Sequence, residues 1–302
     1  MMMLNNESVL HVIRDVLEKK DADIKDIKRV GGLTNINFSV TVDDEKFILR
    51  LPGDGTEELV NRQAEKNNLI FATSLGINPE LVYFNDQTNM KITRKIPNPS
   101  TLTAEQTKHP QKMNQIIDIF HKLHYASHGM SNRFELFTLM QHYETLVEKI
   151  HPIEFQHYTA MKKDIAALKE VYESLQVEEA PCHIDTISDN FVSSGMGKVY
   201  LIDWEYSGMF DPMWDVATLM LNSDYTEAEE QLFLQKYFER QPTEEEIQRI
   251  HLHKIFQDYL WSLWGVYKVA SGDTLDGYAT GLFNRAVKNL TTYKAIYEEQ
   301  AV

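Results

Sequence analysis

The feature that most constrains the fold is a stretch near the beginning of the chain in which apolar and polar residues alternate. Apolar residues alternate with polar ones at Ile36, Phe38, Val40 and Val42. This period of two predicts a strand with one buried face. Residues 43–45 offer a turn, and residues 46–51 read as a second strand, so the sequence predicts an antiparallel hairpin.

The other predicted elements divide the chain into two parts. Around the hairpin we expect helices over residues 8–20 and 57–74, and strands over residues 27–30, 81–84 and 90–93. Longer helical patterns follow at 113–124, 137–150, 155–175 and from 214 onward, with short strands near 191–192 and 198–202. The sequence therefore predicts an α+β protein with a small β-rich lobe over residues 1–96 and a larger, mainly helical lobe over residues 97–302. Residues 97–99 are the candidate hinge.

Composition excludes several classes of protein. The 302 residues carry 30 Lys and Arg against 45 Asp and Glu, a formal net charge of −15. This balance argues against a protein held on nucleic acid by phosphate neutralisation, and no apolar run is long enough to span a membrane. Residues 1–10 lack the pattern of a secretory signal, and a single cysteine, Cys182, excludes an internal disulfide. We expect a cytoplasmic enzyme or binding protein.

One stretch carries a pattern typical of phosphoryl transfer. His183 and Asp185 are followed by Asn190, and Asp203 comes thirteen residues later at the end of a predicted strand. Such a reaction needs a carboxylate that accepts a hydroxyl proton and oxygen ligands that hold Mg²⁺ on the nucleotide phosphates. We expect Asp185 to be the base, with Asn190 and Asp203 as the metal ligands. The alternative is a surface loop in which Asp and Asn only form turns.

With these motifs, residues 29–267 resemble the choline/ethanolamine kinase branch of the aminoglycoside-phosphotransferase-like kinases, and in particular its bacterial Lic-type choline kinases. The resemblance implies a protein-kinase-like bilobal fold. It implies that His183 organises the catalytic loop and that Asp215, at the end of a segment Asp-Pro-Met-Trp-Asp, supports this loop. Glu205, in Asp203-Trp204-Glu205, joins the expected metal ligands.

The N-terminal half resembles the family more loosely. Residues 31–37, Gly-Gly-Leu-Thr-Asn-Ile-Asn, occupy the place of the nucleotide-covering hairpin, so Thr34, Asn35 and Asn37 are candidate nucleotide contacts. Arg50 stands where related kinases have a strand lysine that binds phosphate, and Glu65 on the next helix is its expected partner. The alternative is that Arg50 and Glu65 are two separately solvated charges.

Aromatic residues in the last third of the chain suggest the acceptor. Trp261 and Trp264 lie three residues apart on a predicted helix, and aromatic faces bind a quaternary ammonium that has no N–H to donate. The resemblance assigns the pair, together with Tyr206, to the choline headgroup, and Tyr225 in the same cluster of aromatic residues is a further candidate for substrate binding. Packing in the core is the alternative for such a pair. Asn222 lies near the place where several relatives have a pocket glutamate, which leaves the counter-charge of the cation unassigned.

The resulting hypothesis is a kinase that uses ATP and Mg²⁺ to phosphorylate the hydroxyl of choline, with no nucleic acid or membrane partner. The alternatives are a kinase for ethanolamine, thiamine or an aminoglycoside, and a non-catalytic protein that binds nucleotide or choline.

Two other features of the sequence are not expected to take part in the chemistry. His251 and His253 are expected at the surface, since an i, i+2 pair on a helix points in two directions. Cys182 has no identifiable activating base.

Overall fold

The structure is a computed structural model that describes residues 13–17, 23–30, 35–51, 61–150, 155–275 and 277–298. The chain forms two compact units. The first comprises Met1–Leu102 and Asp189–Ser207, and the second comprises Thr103–Ser188 and Gly208–Val302. The Gly31-Gly32 pair and Thr34 lie outside the described residues, as do residues 8–12, 18–20 and 57–60 of the two helices predicted in this part of the chain.

The first unit is built on an antiparallel sheet of five strands. In sheet order these are β1 (Ile24–Val30), β2 (Ile36–Val42), β3 (Glu45–Leu51), β5 (Lys91–Arg94) and β4 (Leu81–Phe84). The predicted hairpin is β2 and β3, which pair from Ile36 with Leu51 to Val42 with Glu45. One face of the sheet is apolar because of the alternation seen in the sequence, and Val40, Leu49 and Ile92 are buried there.

Helix α1 (Arg62–Ser74) follows the hairpin in this unit, and Asn61 caps its first turn by accepting a hydrogen bond from the Ala64 backbone.

A second sheet combines β6 (Ser100–Thr101), β8 (Phe191–Ser193) and β9 (Val199–Leu201). The indole of Trp204 is fully buried and donates to Asn78. Residues 189–207 are thus packed with the N-terminal segment of the chain.

The second unit is mainly helical. Its helices are α2 (Ala104–Lys108), α3 (Pro110–His124), α4 (Leu136–Ile150), α5 (Tyr158–Ser174), α6 (Pro212–Asn222), α7 (Glu227–Phe238), α8 (Glu244–Ala270) and α9 (Tyr278–Tyr297). Helix α8, with 27 residues, packs against α4, α5, α6 and α9. It is therefore buried along most of its length. Thr243 and Glu246 form a capping box at its start.

Two short strands complete the second unit. Strands β7 (Ala180–Cys182) and β10 (Gly208–Phe210) pair antiparallel. Strand β7 ends next to His183, so this pairing fixes one end of the segment that carries Asp185.

The α+β class predicted from the sequence is confirmed. Among the described residues, the predicted hairpin and the helices near 113–124, 137–150 and 155–175 are present, whereas the short strands β6, β7 and β10 were not predicted. The division of the chain into lobes at residues 96 and 97 stays a prediction. The compact units are divided differently, because residues 189–207 belong to the same unit as the N-terminal segment. No helix among the described residues is both long enough and apolar enough to cross a membrane.

Candidate active site

The segment that carries Asp185 is held in an unusual backbone conformation. Ile184 has φ of +75°, a region that a β-branched residue rarely adopts. Its N–H donates to Asp215 Oδ1 at 2.7 Å, and its carbonyl accepts from the indole of Trp214 at 2.8 Å. Such strain persists only where the surroundings fix it, and here a carboxylate and an indole do so. Asp185 follows directly and is partly exposed.

Asp215 lies at the centre of this arrangement. Its Oδ2 accepts from the backbone of His183 at 2.8 Å and from His124 Nε2 at 3.0 Å. His124 Nδ1 in turn contacts the hydroxyl of Tyr237 at 2.8 Å. Both carboxylate oxygens of Asp215 are therefore used, and its side chain is fully buried. This geometry supports the expectation that Asp215 holds the catalytic loop, while His183 is buried at the base of the loop.

Cys182 lies beside the same network. Ligand atoms of His124, Cys182 and Asp215 lie within 4.8 Å of one another, a distance that would suit a metal ion. However, burial raises the pKa of the Cys182 thiol, and the thiol contacts the carbonyl of Phe210 at 3.5 Å. A protonated thiol and a hydrogen-bonded carboxylate form a polar network rather than a metal site.

The first unit contains a network of charges around Arg50. The Arg50 guanidinium lies 3.0 Å from Glu65 Oε1, 2.9 Å from Asp203 Oδ1 and 3.3 Å from Glu205 Oε2. The predicted ion pair of Arg50 with Glu65 is therefore present, and the side chain of Glu65 is only 1% exposed. The alternative of two separately solvated charges is excluded by this burial.

Two further cations, which the sequence analysis missed, hold Glu65. Lys91 Nζ lies 3.1 Å from Glu65 Oε1, and Arg62 Nη1 donates to Oε2 at 2.8 Å. Burial raises the pKa of Glu65, but Lys91, Arg50 and Arg62 outweigh this effect and lower it to about 2. Lys91 is opposite Arg50 in the pairing of β3 with β5, so the register of the sheet brings them together.

The candidate metal ligands lie close to each other in this unit. Asn190 ends a short 3-10 turn, and its carbonyl accepts from Ile202 N at 2.9 Å, which brings Asn190 beside Asp203. Asp203 has φ of +70°, and its side chain is 35% exposed. Burial first, and the charge of Asp203 second, raise the pKa of Glu205. Two carboxylates and an amide oxygen are hard oxygen ligands, so this donor set fits Mg²⁺.

The candidate nucleotide contacts are only partly described. Asn37 is opposite Arg50 in the pairing of β2 with β3, and Asn35 is buried at the start of β2. Thr34 lies outside the described residues. Asn37, Arg50 and Lys91 thus follow one another across three neighbouring strands.

In the second unit the predicted tryptophan pair is joined by a tyrosine that the sequence analysis missed. The rings of Trp261 and Trp264 are 6.4 Å apart, and the ring of Tyr278 is 6.1 Å from Trp264. Burial and, next, the charge of Asp185 raise the pKa of Tyr278 to about 12. We call Trp261, Trp264 and Tyr278 the acceptor group. Both tryptophans are half-buried, and Tyr278 is 43% exposed, so none of the three rings lies fully inside the core.

Gly265 allows Tyr278 to approach α8 closely. A Cβ atom at this position would lie 3.0 Å from Cδ1 of Tyr278 and 3.1 Å from the side chain of Ala279. A larger residue would therefore push the start of α9 away from α8, and with it the tyrosine ring.

The other predicted acceptor residues lie in different surroundings. Tyr225 is buried, and its hydroxyl donates to the carbonyl of Thr107 at 2.9 Å, which points to a structural role. Tyr206 lies in the first unit and is half-buried three residues after Asp203. Asn222 Oδ1 accepts from Arg285 at 3.2 Å.

The expectation that His253 lies at the surface is wrong. Its imidazole is fully buried, and Nε2 donates to Asp211 at 2.7 Å. Arg249 binds the same carboxylate through Nε at 2.9 Å. Although burial works in the opposite direction, His253 and Arg249 hold the pKa of Asp211 well below its usual range. His251, two residues earlier, is half-buried, and burial lowers its pKa to about 4.

Comparison with known proteins agrees with this geometry. Residues 27–294 match the sequence model of the family described as choline/ethanolamine kinase. This chain belongs to the choline/ethanolamine kinase family. The fold is kinase-like, and the protein is a phosphotransferase that acts on an alcohol group.

Three relatives of this family illustrate the match. The crystal structure of the choline kinase LicA from Streptococcus pneumoniae is 33% identical, with a TM-score of 0.83, and the alignment covers 94% of this chain and 99% of that one. A LicA structure in complex with AMP is 32% identical, with a TM-score of 0.83 over 96% of this chain and 100% of that one. Protein LicA of Haemophilus influenzae is 28% identical over 268 residues, which are 86% of this chain and 78% of the relative.

These matches support an amino-alcohol kinase that uses a nucleotide. They agree with the resemblance inferred from His183, Asp185, Asn190 and Asp203 in the sequence.

Proposed function

We propose that this member of the choline/ethanolamine kinase family transfers the γ-phosphoryl group of ATP to the hydroxyl of choline. The observation that carries this proposal is the acceptor group, in which the three aromatic rings follow one another at 6.4 Å and 6.1 Å and the charge of Asp185 acts on Tyr278. A trimethylammonium is bound by aromatic faces through cation–π attraction, whereas a primary ammonium needs hydrogen-bond acceptors. All three side chains of the acceptor group are aromatic, which favours choline.

In this reaction Asp185 accepts the hydroxyl proton of choline and orients its oxygen for attack on the γ-phosphorus. The loop around Asp185 is fixed before substrate binds, because Asp215 and Trp214 hold the backbone of Ile184. The carboxylate therefore keeps its direction through the reaction, which lowers the cost of orienting the reactants.

Arg50 stabilises the phosphate charge that develops during transfer, and Glu65 keeps its guanidinium in place. Asn190, Asp203 and Glu205 would hold Mg²⁺. Because Arg50 contacts Asp203 and Glu205, its guanidinium would compete with Mg²⁺ for these two carboxylates. When bound, Mg²⁺ neutralises charge on the phosphate oxygens.

A panel of acceptors tests the proposal. The purified protein should convert ATP and choline to ADP and phosphocholine with a higher kcat/KM than it shows for ethanolamine, thiamine or an aminoglycoside. Asp185→Asn should lower kcat by about 10²–10⁴-fold, the usual contribution of a positioned base, while ATP still raises its melting temperature. Full turnover by the Asp185→Asn protein, or preference for another acceptor, would contradict the proposal.

The acceptor group makes a separate prediction about selectivity. A desolvated cation–π contact contributes about 1–2 kcal/mol, so Trp264→Ala should weaken choline about 5- to 30-fold. Ethanolamine should lose less, and the ratio of kcat/KM for the two acceptors should fall. An unchanged ratio together with a much lower melting temperature would instead identify Trp264 as a packing residue. Trp261→Ala provides the matched second test.

A further inference from the structure

An ion pair lies next to the acceptor group in the second unit. Arg285 Nε donates to Asp258 Oδ2 at 2.8 Å, and Arg285 Nη2 donates to Oδ1 at 2.7 Å. The side chain of Asp258 is 2% exposed, while that of Arg285 is 30% exposed. The pair thus combines a buried carboxylate with a guanidinium that is partly open to solvent.

Both partners share helix faces with the acceptor group. Asp258 precedes Trp261 by three residues on α8, so the two side chains lie on the same side of the helix. Arg285 follows Tyr278 by seven residues on α9, which is two helical turns or about 10 Å. Besides burial, the charge of Arg285 lowers the pKa of Tyr278 and the charge of Asp258 raises it, so the two charges act on this hydroxyl in opposite directions.

Arg285 also links three helices through its hydrogen bonds. Besides Asp258 on α8, it donates to the carbonyl of Leu221 at 3.3 Å and to Asn222 Oδ1 at 3.2 Å, both on α6. Arg285 itself lies on α9. The guanidinium is therefore fixed where α6, α8 and α9 meet, and its positive charge is fixed with it.

A fixed positive charge two helical turns from Tyr278 would repel an ammonium ion bound at the acceptor group, because the interaction between charges falls off only slowly with distance in a partly buried site. The carboxylate of Asp258 cancels that charge at its source. A neutral acceptor of the same shape would be indifferent to this compensation.

We propose that Asp258 is a specificity-determining residue, which allows the acceptor group to take a cationic alcohol by cancelling the charge of Arg285. This inference rests on the proposed function, since it takes the acceptor group as the binding place of the cation. Asp258 acts through Arg285 and does not touch the acceptor.

The test compares choline with 3,3-dimethylbutan-1-ol, in which a carbon atom replaces the charged nitrogen. Asp258→Asn keeps the size of the side chain but leaves Arg285 unmatched. We expect the KM for choline to rise about 5- to 10-fold. The KM of the neutral analogue, or its competitive inhibition constant if turnover is slow, should stay unchanged. A purely structural role would weaken both acceptors equally.

Three matched variants separate charge from packing. Asp258→Asn/Arg285→Gln removes both charges, so the ratio of the two KM values should return towards that of the wild type. Arg285→Gln alone leaves the carboxylate unmatched and should shift the ratio in the opposite direction, which keeps the test decisive if Asp258→Asn does not fold. Asp164→Asn breaks the 2.7 Å ion pair with Lys294 near the other end of α9 and should leave the ratio unchanged.

The proposal would be overturned if Asp258→Asn raised the KM of both acceptors equally. It would also be overturned if the ratio of the two KM values in the double variant stayed at that of Asp258→Asn. If the wild-type protein uses ethanolamine rather than choline, the proposed function fails on its own. The same variants, tested with ethanolamine against propan-1-ol, would then still decide the role of Asp258.

Discussion

The two units of this protein surround their carboxylates with different partners. In the first unit, three cations (Arg50, Arg62 and Lys91) surround three carboxylates (Glu65, Asp203 and Glu205). In the second unit, Asp211 and Asp215 are fully buried. Asp215 is held by a histidine and two backbone N–H groups, and Asp211 by a histidine, an arginine and the backbone of Met213.

The difference shows how the same residue type serves two purposes. Arg50 contacts three carboxylates at once, so a metal ion or a phosphate can take over one contact while Glu65 keeps the guanidinium in place. Asp203 is accessible enough for such an exchange. Asp215 has no room for one, because its oxygens already accept three hydrogen bonds that shape the loop of Asp185. The first network is suited to ligand exchange, and the second to rigidity.

The largest effect is expected from Asp215→Asn. The amide oxygen can replace one carboxylate oxygen, but the amide nitrogen would face N–H donors from which it cannot accept. Breaking a buried charged network in this way costs about 3 kcal/mol or more. The melting temperature should fall, and kcat should fall with it in the protein that remains folded, with little change in the KM for ATP. Asp118→Asn, an exposed position on α3, is the control. A stable and fully active Asp215→Asn protein would remove the contrast between the units.

A smaller effect, and of a different kind, is expected from Arg50→Ala. Glu65 would keep Lys91 and Arg62 as partners, so the melting temperature should fall less than it does in Asp215→Asn. The loss of a preorganised donor to phosphate should lower kcat/KM for ATP about 10²-fold, with the KM for the acceptor nearly constant. Steady-state kinetics with each substrate varied in turn would check this. A change confined to the KM of the acceptor would contradict the assignment of Arg50 to the nucleotide.

The smallest effect concerns acid stability. The pKa of Glu65 in the folded protein is about 2, below its ordinary 4.5, so its contribution to stability is full above pH 4.5 and is lost as the pH falls towards 2. Near pH 3 the loss should amount to about 2 kcal/mol of unfolding free energy. Denaturant unfolding between pH 3 and 7 should therefore show a flatter dependence for Glu65→Gln. An equally steep curve for this variant would assign the acid sensitivity to other groups.

Much of this protein follows from local sequence patterns. The alternation from Ile36 to Val42 predicts the hairpin, because a strand with one buried face needs that period. The ion pair of Arg50 with Glu65 was expected from the resemblance to related kinases, and it is present. The spacing of Asp185, Asn190 and Asp203 pointed to phosphoryl transfer and to a family that the comparisons confirm.

The tertiary structure decided which other residues join these. Lys91 follows Arg50 by 41 positions in the chain, and only the pairing of β3 with β5 puts them side by side. Tyr278 meets Trp264 across two helices, and Asp258 meets Arg285 in the same way. His253 was expected at the surface, yet α8 is enclosed by other helices, so its position on the helix did not predict exposure. Sequence periodicity reports one face of one element, whereas ion pairs and ring contacts depend on which faces meet, and that is set by packing over the whole unit.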